Sequence, residues 1–396
     1  MRGLLKRRLN VGFLVNPFYL YGIAFSLSIL LYLWRWSNIF PELSGGLILF
    51  FGITFVLFWF AGYKLGKKDF IQINDKTTRP YLMDIIFWLI IILGIINLVF
   101  MGYLPILDRS HDYREFGMPV IDPLFNTLSI FFSVYFIQSY LVDKNKRFLM
   151  YVFVILIMQI ILFRRSTIVW IISSSFFLII LYKKKINVAL LLAVIICIPL
   201  FSYCFGLYGN TRSNITKSNA LNDLGASDTF KSIGISHYHY MTYLYISSPL
   251  ANLQENIVVG DRFFNKGDIK DFFFYCLMPQ SITMRLEKPL SLSPPVCNLI
   301  TPELIVGTFF MVSYFTMGWF GMIIMFLFLF VYIILSLFII RKWNTFSLTT
   351  FSLLSTTVSL LIFSNFLNRM DVILLLFIYP VIFHFIFTRD LIKAKS

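Results

Sequence analysis

Residues 317–340 read MGWFGMIIMFLFLFVYIILSLFII, an unbroken apolar run without a charge, closed by Arg341 and Lys342. A helix that crosses a bilayer needs about 20 mostly apolar residues, so this stretch reads as a membrane span with a basic end. Working outward, nine more runs share the pattern: 13–33, 44–63, 84–103, 123–142, 148–163, 166–182, 187–207, 346–364 and 372–388. They predict an all-α polytopic integral membrane protein with about ten transmembrane helices. Composition agrees. Of the 396 residues, 58% are hydrophobic and 13% charged, against roughly 45–50% and about 25% in soluble domains. That leaves too little polar surface for a soluble globule and excludes a disordered or collagen-like chain.

The net charge of +15 suggests nucleic acid until the charges are placed. With a cytoplasmic N-terminus, the inner segments hold 20 of the 34 Lys and Arg but only 5 of the 19 Asp and Glu. The outer segments are balanced. The excess charge is therefore an orientation signal, and no nucleic-acid partner is expected. Both termini are expected to be cytoplasmic. MRGLLKRRLN resembles the start of a signal peptide, but no small-residue cleavage site follows. The first run is therefore read as a retained helix.

Three regions follow: 1–207 with helices one to seven, 208–316 as a large outer loop with amphipathic or re-entrant helices, and 317–396 with helices eight to ten and a cytoplasmic tail. No Walker motif, GxGxxG or transporter-like inverted repeat is present. Chemistry is therefore expected at the outer membrane face. Cys197 and Cys204 fall in the seventh run and read as packing residues. Cys276 and Cys297 lie in the large loop, where an oxidising compartment would permit a disulfide, although nothing in their spacing demands one. No Cys or His spacing suits zinc, so neither metal nor cofactor is expected.

Arg164 and Arg165 stand at the outer tip of the hairpin LFRRSTIVW. Placing arginine near the membrane costs on the order of 2.5–3.5 kcal/mol. The pair reads either as snorkelling into the headgroups or as a fork for an anionic headgroup such as a lipid diphosphate. Arg212, in LYGNTRSN, is a third outer-interface cation. Arg35, between Trp34 and Trp36, reads as an aromatic-belt anchor. In SHYHYMTYLYISSPLANL, Tyr243 and Tyr245 are candidate platforms for stacking on sugars, or members of an interfacial belt. His237 and His239 are candidate general bases. Arg285 is a charged member of the following Pro-rich stretch. Glu303, after Pro302 and ahead of the eighth run, is a candidate for activating a hydroxyl or simply a helix-start acid. LDRSHDYREFG, with Asp108, Arg109, His111, Asp112, Arg114 and Glu115, reads as a charged outer loop.

Four places resemble the bacterial O-antigen or oligosaccharide repeat-unit polymerases, the Wzy family: RRSTIVW at 164–170, YGNTRSN at 208–214, YLYISSPLANL at 243–253, and CNLITPELIVGTFFMVSYFTMGWFGMII at 297–324 with Gly318 and Gly321. The likeness covers most of the chain in layout. It implies glycosyl transfer at the outer face of the inner membrane, joining undecaprenyl-pyrophosphate-linked repeat units into O-antigen or a related surface polysaccharide. It implies those lipid-linked glycans as partners, together with membrane lipid, a chain-length regulator and a flippase. On this reading Arg165 and Arg212 hold the diphosphate, with Arg164 and Arg285 as weaker ligands. Glu303, His237 and His239 are acceptor-side candidates. Related ligases carry a His before the corresponding late helix; this chain has none between His239 and His384, which leaves the base open.

A flippase is the main alternative, although it should have more spans and shorter loops. A lipid-linked sugar transferase of the polyprenyl-phosphate type would lean on Asp108 and Asp112 and usually on a metal; a ligase is a further alternative. An O-acyltransferase would want an early histidine, and the first here is His111.

Overall fold

A computed structural model describes residues 8–10, 12–65, 80–105, 117–183, 185–187, 196, 198–200, 202–207, 224–260 and 269–393. Apart from a three-residue antiparallel pair, β1 (Arg8–Asn10) with β2 (Lys185–Asn187), the described regular structure is helical. Among the described residues, six helices are long and apolar enough to cross a membrane: α2 (Gly45–Leu65), α3 (Pro80–Met101), α4 (Ile121–Asp143), α6 (Arg165–Lys183), α11 (Met311–Lys342) and the helical stretch Met370–Thr388. The last of these is α13 (Met370–Ile373), a π-turn at Leu374–Ile378, and α14 (Tyr379–Lys393). Shorter apolar helices are α1 (Pro17–Tyr32), α5 (Arg147–Ile161) and Ile198–Leu207. The run at 346–364 forms the fourteen-residue α12 (Ser347–Leu360). Between lie α7 (Asp228–Ile233), α8 (His237–Val259), α9 (Ile269–Phe272, continuing as a π-turn Phe273–Leu277) and α10 (Gln280–Leu290).

Large apolar side chains on the outsides of α2 and α3, among them Val56, Trp59, Phe60, Trp88 and Val99, are more than half exposed. Water would not tolerate so apolar a face on either helix. Helices satisfy their own backbone polar groups, which is what lets such a face meet lipid.

The chain divides into two compact units. One comprises Met1–Lys67, Lys185–Tyr332 and Thr357–Met370. There Asn16 caps α1 through the Phe18 N–H and Pro17 opens it. Phe18, Tyr21 and Phe25 of α1 interlock with Phe51 and Phe58 of α2, with Phe326 of α11 and with Phe310 just ahead of it. The Tyr21 hydroxyl donates to Thr54 (3.1 Å), so its polar end is satisfied inside the cluster. Helix α11 kinks at Met317–Gly318, where Gly318 takes φ +60°, ψ −147°. A Cβ on Gly321 would lie 2.2 Å from the Ser313 carbonyl oxygen, so this bend needs both glycines.

The other unit comprises Lys68–Lys184, Ile333–Thr356 and Asp371–Ser396. Its centre is α4, whose Phe125, Phe131, Phe132 and Phe136 are fully buried. Hydroxyl and amide pairs cross this core: Thr127 with Tyr379 (2.7 Å), Gln138 with Thr349 (2.8 Å) and Ser174 with Thr356 (2.8 Å). At one end, Asp84 accepts from Tyr151 (2.7 Å) and pairs with Arg147 (3.2 Å), tying α3 to α5.

Candidate functional site

The arginine hairpin is built by α5, the three-residue connection 162–164 and α6. The Leu162 N–H returns to the Met158 carbonyl and the Arg164 N–H to the Gln159 carbonyl. Phe163 turns the chain with φ +53°, a backbone state uncommon outside glycine. Arg165 is then the first residue of α6. Arg164 points at the first turn of α4, where its Nη2 lies 2.8 Å from Asp122 Oδ1 with both side chains largely buried. Asn126 donates to the other Asp122 oxygen (3.1 Å), and Thr167 donates to Asn126 (3.4 Å). The Gly117 Cα comes so close that a Cβ there would lie 2.5 Å from the Asp122 carboxyl carbon. Asn97 accepts from the Met118 N–H (3.0 Å) and anchors the same bend to α3.

Sequence reading missed Asp122. It is 42 positions from its partner, and its only local signal is Asn126 one turn on. The carboxylate sits at the positive end of the α4 dipole, which suits it. Arg165 sits at the positive end of α6, which does not suit a cation. The first-turn N–H groups of a helix point outward without intrahelical partners. A guanidinium beside them makes a favourable arrangement once an anion lies between.

The other unit holds the histidine candidates, at the start of α8. Ser236 caps the helix through the Tyr238 N–H, and His237 stacks on Tyr238 at 4.0 Å. His239 Nδ1 is 3.0 Å from Ser202 Oγ, and Thr242 donates to the Ser202 carbonyl (2.7 Å). A Cβ on Gly206 would strike the Tyr238 carbonyl, so glycine lets residues 202–207 lie against α8. Tyr245 remains exposed and packs edgewise on Phe205 and, tilted, on Phe363. Tyr243 is a correction to the stacking expectation. It is buried, with its ring held by Phe40 and Trp36, so no face is left for a sugar.

Glu303 lies exposed on the segment between α10 and α11. Two amides of α8 fix that segment. Asn252 donates to the Leu304 and Val306 carbonyls and accepts from the Ile300 N–H; Asn256 both donates to and accepts from Asn298. Arg285 is exposed on α10. Asn365 and Asn368 donate to the Cys276 and Tyr275 carbonyls, and the Asn368 carbonyl accepts from Gln280. Cys276 and Cys297 are free thiols here. Burial pushes the Cys276 thiol up, and burial holds Cys297 at about 12. Arg212 and the loop carrying Asp108, Arg109, His111, Asp112, Arg114 and Glu115 lie outside the described residues, as does Cys197. Among the described residues no cluster of three or more His, Cys, Asp or Glu could hold a metal.

Compared with known proteins, the chain matches no family model, and no curated protein or solved structure is significantly similar to it. Its helices define it as a membrane-embedded helical protein.

Proposed function

We infer that this protein is a membrane glycosyltransferase that joins lipid-diphosphate-linked oligosaccharide repeats at the outer face of a bacterial inner membrane. The observation that carries the reading is Arg165, a cation placed as the first residue of a membrane helix. Arg164 beside it is held by Asp122. At that helix end the guanidinium and the first-turn N–H groups lie together, so both can contribute to holding an anion. A departing lipid diphosphate is such an anion.

In this reading the ten apolar runs all cross the membrane and the 208–316 segment is outside. Arg165 and Arg212 take up charge as the glycosidic bond to the diphosphate breaks, so the leaving group needs no metal. His237, His239 and Glu303 are the acceptor-side candidates. Undecaprenyl-diphosphate glycans are the substrates. A flippase would supply them, and a chain-length regulator would set the product size.

The test is the surface-polysaccharide ladder of cells lacking the gene. Collapse to a single repeat unit supports joining of repeats. Absence of any external repeat moves the block earlier, to a flippase or an early transferase, and removes the reading.

A further inference from the structure

The loop after α1, residues 33–44, encloses a cleft of about 210 Å³ that the account above does not use. Tyr32 and Phe40, stacked on each other at 5.1 Å between centroids, brace it from beneath. Its polar lining includes Arg35, Asn38 and Glu42. Arg35 and Glu42 face each other at 3.4 Å, both well exposed.

The loop is held at several points. The Tyr32 hydroxyl donates to the Pro41 carbonyl. Asn38 N–H donates to Gly225 (2.8 Å), and Ser227 N–H donates to Trp36 (2.8 Å). Ser44 N–H donates to the Gln254 side chain of α8 (3.0 Å). Within this frame Arg35 takes φ +51°, a left-handed state that arginine rarely adopts. Such outliers persist only where their surroundings enforce them, and they gather at binding sites. The aromatic-belt reading of Arg35 accounts for neither the strain nor the facing carboxylate.

We propose that this cleft binds one pyranose ring of a glycan. A lone arginine would select an anion. With Glu42 opposite, the charge is balanced, and the mouth offers a donor fork, an acceptor carboxylate and an amide that does both. Adjacent sugar hydroxyls match that alternation, while Leu33 and Leu43 of the lining supply apolar contact for the ring's C–H face. The volume is below the 300–1,000 Å³ or so of drug-sized sites, which fits a single ring. Trp34, half exposed beside Trp36 at 4.8 Å, extends the apolar edge toward the next sugar. The proposal rests on the outer-face glycan reading, in which loop 34–43 lies outside.

The experiment uses the full-length protein in lauryldimethylamine oxide, a detergent without a sugar headgroup. Oligosaccharides of one to three repeats, cut from the producing cell's own surface polysaccharide, are titrated by tryptophan fluorescence and by saturation-transfer NMR. Wild type should bind saturably. Glu42→Gln and Arg35→Gly should weaken binding at least tenfold without lowering the thermal midpoint, because glycine accepts the backbone angle at position 35. Asn38→Ala is the second lining variant and should weaken binding in the same sense. No saturable binding by wild type, or wild-type affinity in all three variants, overturns the proposal. The gene-deletion ladder separates the two ideas. A collapsed ladder with unchanged variant affinity removes the cleft and keeps polymerisation. An intact ladder with weakened variants keeps the sugar site and removes polymerisation.

Discussion

Asp122 and Arg164 meet at 2.8 Å, joining the first turn of α4 to the tip of the α5–α6 hairpin through side chains that are less than one-fifth exposed. Removing one partner of a buried pair strands the other, at a cost of about 3–5 kcal/mol, whereas removing both often costs little. Asp122→Leu and Arg164→Leu should each lower the thermal midpoint sharply in detergent, and the double variant should lie closer to wild type. Strictly additive losses would mean that the two are not coupled.

Arg165 should behave differently from its neighbour. Arg165→Ala is expected to abolish repeat joining while lowering the thermal midpoint less than Arg164→Leu does, because Arg165 is half-buried and outside the Asp122 pair. Arg165→Lys should recover little, since a point charge lacks the planar fork. Measuring turnover and unfolding on the same preparations checks both. Normal turnover in Arg165→Ala would remove this residue from the mechanism.

The α11 bend makes a stability prediction. Gly318 occupies a backbone region that is essentially glycine-only, and a Cβ on Gly321 would strike the Ser313 carbonyl. Gly318→Ala and Gly321→Ala should each cost on the order of 1–3 kcal/mol, visible as lower folded yield and midpoint. Unchanged midpoints would contradict the bend.

Asn252 serves three backbone groups of the segment carrying Glu303. Asn252→Ala leaves them unpaired, at about 1–3 kcal/mol for each one that stays buried. Limited proteolysis should then cut within residues 291–306 faster than in wild type. Equal cleavage rates would mean that the amide is not what holds the segment.

Cys276, buried, and Cys297, half-buried, give a pH prediction. Both are raised above the ordinary thiol value of about 8.5, Cys297 to about 12. The folded chain therefore keeps these protons where the unfolded chain loses them. Their contribution is intact below pH 8.5 and is lost as pH rises toward 12. At pH 7.5, iodoacetamide followed by peptide mass spectrometry should modify both far more slowly in folded than in unfolded protein. Rapid modification of the folded form would contradict their burial.

Much of the helical layout was legible because lipid-facing helices are apolar all along. The run at 44–63 is α2 to within two residues, and 123–142 lies inside α4. The eighth run began at 317, where Gly318 bends the backbone, although the helix starts at Met311. Helix α8 was harder. It buries Asn252, Gln254 and Asn256 inside protein, so neither an apolar run nor a clean amphipathic stripe marks it. Its sequence gave no sign that Tyr243 turns toward Trp36 and Phe40 while Tyr245 turns away. The Asp122–Arg164 pair was invisible for a similar reason. Pairing across two helices leaves no spacing rule along the chain, and Asp122 falls one residue ahead of the apolar run that begins at 123.

The most direct test of the central claim is a cell-free reaction. Purified protein in liposomes is supplied with single-repeat undecaprenyl-diphosphate oligosaccharide, and the glycans are sized by mass spectrometry. The account predicts chains of two or more repeats and one released undecaprenyl diphosphate for each bond formed. Repeats that stay single, with no diphosphate lipid released, would contradict it.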